Sequence, residues 1–195
     1  LKKIEVLSPL LNKKLMNNLH YGIIGNCRSA VLVSKDGSID WCCLPKFDSA
    51  SVFAKLLDEE KGGSFGFKVD ESYTTTQFYL ENTAILVTRF SNGIDAFEVV
   101  DFMPRYHKIQ RGYHAPPEFI RYIRHVSGKP TMKVNYDPKL EYAKGVTTTY
   151  IKDDFIVSLN DEDTYDTLFL YTDLDKKAVV EGEPISINSD HFFLV

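Results

Sequence analysis

Apolar and polar residues alternate with a period of two over most of the chain after Tyr21, which is the pattern of half-buried β-strands. Turns such as Asp36-Gly37 and Asn92-Gly93 separate the alternating runs at intervals of about 8–12 residues. The pattern predicts an all-β fold, an antiparallel β-supersandwich of two packed sheets with about a dozen or more strands and one or two short helical turns. The predicted strands are Ala30–Ser34, Ser38–Cys42, a strand through Phe65 and Phe67, Thr83–Phe90, Ile94–Met103, Phe119–Ser127, Thr131–Tyr136, Val146–Ile151, Phe155–Leu159, Thr167–Thr172, Lys177–Glu181, Ile185–Asn188 and His191–Val195.

Three segments depart from the alternation. Residues 1–20 are predicted to form a leader or a short helix, because Ser8-Pro9 is a cap and first-turn signal. Asp48 followed by Val52–Leu57 predicts a capped helical turn. Arg105–Glu118 contains one glycine and two prolines and is predicted to be irregular.

The β-sandwich domain is assigned to residues 21–195, and its last segment is an apolar strand. His191–Val195 lacks a turn or a polar tail, so we expect a free sheet edge that is open to further pairing. We interpret the chain as truncated before another domain. A natural carboxy-terminal strand is the alternative.

Composition narrows the classes of function. The chain has 195 residues, a formal net charge of -4 and a pI near 5.7, and its basic residues are scattered, which argues against a nucleic-acid partner. No apolar run approaches the roughly 20 residues of a membrane span, so no membrane partner is expected. Three cysteines do not make a disulfide framework, and we interpret them as reduced thiols of a cytoplasmic protein, with metal binding as the weaker alternative.

Candidate catalytic groups do not converge along the sequence. On one strand, the side chains of Asp95 and Asp101 would lie on one face of the sheet and that of Glu98 on the other. The two catalytic carboxylates of a glycosidase must instead face a bound sugar from both sides. Asp161-Glu162-Asp163 is interpreted as a solvated turn, with a Ca²⁺ site as the alternative. No nucleophile elbow is present. Neither a metal nor a cofactor is therefore predicted.

Two segments have the chemistry of ligand contact. In the segment from Asp40 to Ser49, Trp41 and Phe47 can stack on sugar rings while Lys46 and Asp48 bind hydroxyl groups. The alternative places both aromatic side chains in the core and makes Asp48 a helix cap. Arg105–Glu118, with two histidines, either contacts a ligand or partner or is an ordered surface loop.

A resemblance rests on long, nearly continuous motifs. They are Tyr21-Gly22-Ile23-Ile24-Gly25-Asn26-Cys27-Arg28-Ser29-Ala30, Val33-Ser34-Lys35-Asp36-Gly37-Ser38-Ile39-Asp40-Trp41, Cys43-Leu44-Pro45-Lys46-Phe47-Asp48-Ser49 and Ser51-Val52-Phe53-Ala54, followed by the weaker Tyr79-Leu80-Glu81-Asn82-Thr83 and Val100-Asp101-Phe102-Met103-Pro104. This set resembles the amino-terminal domain of prokaryotic glucoamylase and trehalase-like enzymes of glycoside hydrolase family 15.

The resemblance implies a β-supersandwich that precedes a helical catalytic barrel, whose glutamates hydrolyse α-glucosidic bonds with inversion. No catalytic residue of such a barrel is in this chain. The resemblance implies that the barrel is the chain's own partner, that an α-glucoside or oligosaccharide is the substrate, and that six residues face the cleft or contact the barrel. Lys46 stands where the family more often has Arg and Ser29 where Thr is usual, and lysine does not make the planar bidentate contact that arginine makes. The six residues are Asn26, Arg28, Trp41, Lys46, Phe47 and Asp48.

The leading hypothesis is a non-catalytic amino-terminal domain of a glucoamylase- or trehalase-like hydrolase, inactive alone, that packs on and shapes the catalytic barrel. The alternative is a free-standing carbohydrate-binding module, which a row of exposed aromatic residues on one sheet face would support. Phe65 and Phe67 alternate as core residues do. A complete small enzyme is disfavoured, because no acid, base and nucleophile converge.

Overall fold

The computed structural model describes residues 20–109, 112–161 and 166–195. In these ranges the chain forms strands β1 to β17, arranged in two large antiparallel sheets and one small hairpin. The predicted all-β sandwich is therefore confirmed. The predicted leader, except His20, and most of Asp161-Glu162-Asp163 lie outside the described residues.

The seven-stranded sheet has the order β1-β2-β3-β5-β12-β16, and β4 pairs beside β3. Its inner side chains, such as Val31, Val33 and Phe65, are fully buried. The strands are β1 (Tyr21–Gly25), β2 (Ala30–Ser34), β3 (Ile39–Cys43), β4 (Ser51–Phe53), β5 (Ser64–Lys68), β12 (Thr131–Asp137) and β16 (Pro184–Ser186).

The eight-stranded sheet has the order β13-β14-β15-β17-β11-β8-β7-β6, and β9 and β10 form a separate hairpin. The strands of the larger sheet are β6 (Thr74–Tyr79), β7 (Leu86–Ser91), β8 (Ala96–Phe102), β11 (Ile120–Ser127), β13 (Thr147–Lys152), β14 (Phe155–Asn160), β15 (Thr167–Thr172) and β17 (His191–Leu194). The hairpin consists of β9 (Tyr106–Lys108) and β10 (Gly112–His114).

Aromatic side chains fill the space between the sheets. Phe65 of β5 contacts Phe193 of β17 edge-on, with ring centroids 5.3 Å apart, and also contacts Tyr136 at 5.1 Å. Phe90 and Phe97 stack at 4.7 Å. These rings bury large apolar areas and stabilise the sandwich. The prediction that Phe65 and Phe67 are core residues is confirmed.

One ion pair lies inside this apolar core. The fully buried Arg121 of β11 donates two hydrogen bonds to Asp101 of β8, at 2.8 and 3.1 Å. It also donates to the carbonyls of Phe65, in β5 of the other sheet, and of Gly37, in the turn that joins β2 to β3 of that sheet. The guanidinium carbon lies 4.7 Å from the centroid of Phe67. All of these contacts compensate the cost of burying the charge, and they connect the two sheets.

Two predicted elements are wrong in type. Val52–Leu57 is not a helical turn throughout: Ser51–Phe53 is β4, whose Phe53 pairs with Cys42, and only the segment after it forms a turn, in which the Leu57 amide donates to the Ala54 carbonyl at 2.9 Å. Asp48 precedes β4 and does not cap this turn. The predicted strand Lys177–Glu181 is the helix α2 (Lys176–Glu181). Asp175 accepts a hydrogen bond from the Lys177 amide, and Gly182 has a positive φ of 66°, so both caps favour a helix.

Three further differences concern segments without clear alternation. Arg105–Glu118 is not wholly irregular, since it contains the β9–β10 hairpin. β6 is an additional strand, exposed and polar. His191–Val195 is not a free edge, because β17 pairs with β11 on one side and β15 on the other.

The remaining short element is α1 (Leu140–Ala143). Glu141, Tyr142 and Ala143 have positive φ, so it is a left-handed turn rather than a regular helix. No helix within the described ranges has the length and apolar character needed to cross a membrane.

Candidate functional site

Two connections meet at one end of the sandwich, and buried Asn26 joins them. Its amide nitrogen donates to the carbonyls of Pro116, at 2.8 Å, and Pro104, at 3.3 Å. Its amide oxygen accepts from the backbone of Arg28 and Ser29 at 3.0 and 3.2 Å. One side chain therefore satisfies polar groups of both the β1–β2 turn and the long β8–β11 connection.

The β3–β4 loop is fixed to the same end. The Ser29 hydroxyl donates to the Cys43 carbonyl, and the Phe47 amide donates to the Arg28 carbonyl at 3.1 Å. The Lys46 amide donates to Ser49 Oγ at 3.1 Å. The Leu44-Pro45 peptide bond is cis. This framework leaves the Phe47 side chain 61% exposed, with Lys46 and Asp48 exposed beside it.

The β9–β10 hairpin adds aromatic and cationic groups. The Arg105 guanidinium lies 4.6 Å from the Tyr113 ring centroid and donates to Cys27 Sγ at 2.9 Å. Arg28 donates to the Ala115 carbonyl at 3.5 Å. Tyr113 is 68% exposed. We call this surface the loop end, and it consists of Arg28, Lys46, Phe47, Asp48, Arg105, Tyr106 and Tyr113.

Trp41 is separate from the loop end. It pairs with Leu32 within the seven-stranded sheet, and because its neighbour Cys42 is a core residue, Trp41 lies on the outer face of that sheet. It is half-buried. Of the six candidate residues, Arg28, Lys46, Phe47 and Asp48 share the loop-end surface, buried Asn26 supports it, and Trp41 does not belong to it. The alternative interpretation of the sequence, with Phe47 in the core and Asp48 as a helix cap, is wrong, because the Phe47 side chain is exposed and Asp48 precedes the strand β4.

An apolar cavity of about 380 Å³ opens beside the β3–β4 loop, and α1 forms part of its wall. Leu44, Pro45 and Val52 line it together with Glu141. A hydrogen bond and the negative charge of Asp166, together with burial, raise the pKa of Glu141. Tyr142 donates to the Ser49 carbonyl at 3.3 Å, which ties α1 to the loop. Sequence patterns missed this contact, because no alternation or cap signal marks a left-handed turn.

The carboxylates singled out in the sequence are engaged in structural contacts. Asp101 pairs with Arg121 in the core. Glu98 accepts from Arg124 and Arg89. Asp95 accepts from the Lys129 amide at 2.8 Å. The prediction that Asp95, Glu98 and Asp101 do not converge is confirmed. No group of three or more metal-ligating side chains is found within the described residues, and all three cysteines are free.

Comparison with protein families matches residues 16–167 to the model described as "Trehalase-like, N-terminal". The trehalase of Thermoplasma volcanium is 34% identical over 179 residues, which are 89% of this chain and 26% of that protein. The trehalase of Mycobacterium tuberculosis is 28% identical over 175 residues, or 79% of this chain and 25% of that protein. The chain thus spans about a quarter of the length of these curated relatives. No solved structure matches it.

Proposed function

Because this chain belongs to the trehalase-like amino-terminal domain family, we propose that it is the non-catalytic amino-terminal domain of a cytoplasmic glycoside hydrolase. The parent hydrolyses α-glucosidic bonds, of trehalose or of glucoamylase-type glucans, with inversion as in glycoside hydrolase family 15. The domain packs on the parent's helical catalytic barrel and shapes it.

The observation that carries this proposal is the extent of the match. The trehalase of Thermoplasma volcanium aligns over 89% of this chain but only 26% of its own length, so most of that relative lies outside the aligned domain. The carboxylates singled out here support structure, because Asp101, Glu98 and Asp95 are all engaged by cations or backbone amides. We therefore assign the acid and the base to the remainder of the parent.

The loop end is the proposed contact with the barrel. Arginine and aromatic side chains are enriched where protein interfaces bury their cores, and Phe47, Arg105 and Tyr113 present this combination on a hydrogen-bonded framework. The adjacent cavity has an apolar lining that includes Leu44 and Val52. A barrel segment seated there would remove this apolar surface from water.

A binding experiment tests the contact. The chain is titrated with the parent's separately produced carboxy-terminal part, and complex formation is followed by calorimetry. We expect Phe47→Ala and Arg105→Ala each to weaken the complex by roughly tenfold or more, as interface anchors do. Lys152→Ala, an exposed change on β13, is the matched control and should bind as the unaltered chain does. Equal affinity for all four proteins would place the contact elsewhere.

A carbohydrate-binding module is the second candidate, and one observation favours it. The outer face of the eight-stranded sheet carries the aromatic residues Tyr122, Phe169, Tyr171 and Phe192, each 37–42% exposed. Phe155 contacts the Phe169 ring at 5.4 Å and the Tyr171 ring at 5.5 Å, so part of each ring is covered by its neighbours. Saturable binding of maltooligosaccharides that Phe169→Ala abolishes would support this function.

A further inference from the structure

A polar pocket of about 540 Å³ lies over the outer face of the seven-stranded sheet. Strands β1, β3, β5 and β12 contribute Tyr21, Asp40, Ser64 and Asn135 to its lining. The volume lies within the range of small-molecule sites, about 300–1,000 Å³. The loop end does not contribute to this pocket.

A β-bulge places Asp40 in this pocket. Leu32 pairs with Trp41, whereas the next residue, Val33, pairs with Ile39, so Asp40 is the extra residue. Bulges redirect side chains and are over-represented beside functional sites. Regular alternation would give Asp40 and Trp41 opposite faces of the sheet, and the bulge lets both lie on the outer face.

The Asp40 carboxylate is held in a defined orientation. It is 5% exposed, and it accepts hydrogen bonds from the hydroxyls of Ser38, at 2.6 Å, and Tyr21, at 3.1 Å. Burial and the neighbouring Asp40 raise the pKa of Tyr21 to about 12, so the phenol stays a donor at neutral pH. A carboxylate offers about four acceptor positions, and the two hydroxyls leave capacity for a ligand.

The pocket floor contains further hydrogen-bonding groups and a glycine that lies against Ser38. Asn135 donates to Ser64 Oγ at 3.1 Å, and the hydroxyl proton of Ser64 can point to a ligand acceptor. Gly66 lies beside Asn135 in the sheet. A Cβ at this glycine would lie 3.1 Å from Ser38 Cβ and Oγ, so glycine lets Ser38, which donates to Asp40, pack closely against the floor.

The β4–β5 loop forms one wall and is fixed by backbone hydrogen bonds. The Leu56 amide donates to the Asp40 carbonyl at 3.0 Å, and the Ala54 amide donates to the Gly62 carbonyl at 2.7 Å. A Cβ at Gly62 would lie 2.2 Å from the Ala54 backbone, which explains the glycine. The wall therefore has a defined position in the absence of a ligand.

The acidic and basic side chains that line the pocket are equal in number, which favours a neutral ligand over an ion. The lining includes the cations Lys35, Lys55 and Lys68 and the anions Asp36, Asp40 and Glu59. Within the described residues, these side chains form no salt bridge. An anion would have to lie beside the buried Asp40 carboxylate, and a cation beside three ammonium groups. Hydroxyl groups can donate to Asp40 and accept from lysine, so a polyhydroxylated neutral molecule satisfies both kinds of group.

We propose that this pocket is a saccharide-binding site, separate from the loop end and from the outer aromatic residues of the other sheet. Asp40 accepts from sugar hydroxyls, and Lys35, Lys55 and Lys68 donate to sugar oxygens. The choice of an α-glucosyl disaccharide as ligand rests on the proposed function.

The test is calorimetric titration of the 195-residue chain with trehalose, maltose and inorganic phosphate. We expect saturable binding of at least one disaccharide and none of phosphate. Asp40→Asn should weaken disaccharide binding about tenfold or more, because it removes a charged acceptor. Lys68→Ala, an exposed change that leaves the Asp40 contacts intact, should weaken it by a smaller factor. Lys152→Ala is the control and should not change it.

Three outcomes would overturn the proposal. They are no saturable disaccharide binding by the folded chain, preferential binding of phosphate, and disaccharide binding that Phe169→Ala abolishes while Asp40→Asn and Lys68→Ala leave it unchanged. The titration with the parent's carboxy-terminal part tests the loop end independently, so a failure of this site and a failure of the proposed function are distinguishable.

Discussion

At the scale of single residues, the buried pair of Arg121 and Asp101 is a position where removing one partner should cost much stability. We expect Asp101→Asn to lower the free energy of unfolding by about 3–5 kcal/mol, because it leaves the Arg121 charge buried without its counterion. Urea unfolding measures the loss. Asp154→Asn, in an exposed turn, is the control and should change stability by less than about 0.5 kcal/mol. A similarly small loss for Asp101→Asn would show that Arg121 relies on its carbonyl and ring contacts instead.

Asn26 and Phe47 belong to the same end of the molecule, but substituting them should have different effects on the free energy of unfolding. Asn26→Ala removes a buried side chain with four hydrogen bonds, and we expect it to cost about 2–3 kcal/mol of unfolding free energy. Phe47→Ala removes a largely exposed ring and should cost under about 0.5 kcal/mol. Thermal and urea unfolding of both variants check this contrast, and equal losses would contradict the division into framework and contact surface.

At the scale of elements, Asp190 connects the segment before β17 to β11. It accepts from the Tyr122 hydroxyl at 2.6 Å and from the His125 amide at 2.8 Å, and these hydrogen bonds hold the pKa of its carboxyl below the usual range. A lowered folded-state pKa stabilises the fold above the unfolded-state value of about 3.9. This contribution is lost as the pH falls through the lower folded-state pKa.

We therefore expect Asp190→Asn to lose stability mainly at neutral pH and to differ progressively less from the unaltered chain as the pH falls below the unfolded-state pKa of about 3.9. Melting temperatures of both proteins, measured across this pH range, give the comparison. A difference that stays constant with pH would mean that ionisation of Asp190 does not contribute to the fold.

Elements with strong alternation could be predicted from sequence, and the others could not. Thr167–Thr172 has the bounds of β15, because every second side chain is buried. β6 carries three consecutive threonines and a glutamine and buries little, so no hydrophobic pattern marks it. Lys177–Glu181 is too short for the strand period of two to be distinguished from the helix period of 3.6 in its hydrophobic pattern. The caps formed by Asp175 and Gly182 favour a helix there.

The candidate surface was only partly accessible to sequence reasoning. Family motifs indicated Asn26, Arg28 and the β3–β4 loop, but the contacts of Asn26 with Pro104 and Pro116 join residues 78 and 90 positions apart, which local patterns cannot show. The Asp40 pocket was missed because a bulge breaks the period of two at that residue.

At the scale of the whole molecule, the chain is a sandwich whose outer surfaces offer distinct contacts. The loop end presents Phe47, Arg105 and Tyr113 on a hydrogen-bonded framework, and the Asp40 pocket lies on a sheet face. The core between them is continuous and is crossed by Arg121, which bonds to both sheets. We infer that the domain contributes contacts and stability to a hydrolase whose chemistry lies elsewhere in the parent.

Glucose release is the measurement that tests most directly whether this domain is non-catalytic. The 195-residue chain is incubated with trehalose and with maltose beside the parent protein and a heat-killed control. A non-catalytic domain should release no more glucose than the heat-killed control, while the parent hydrolyses at least one of the two sugars. Glucose release by the chain alone, above that control, would contradict the central claim and place a catalytic site within these residues.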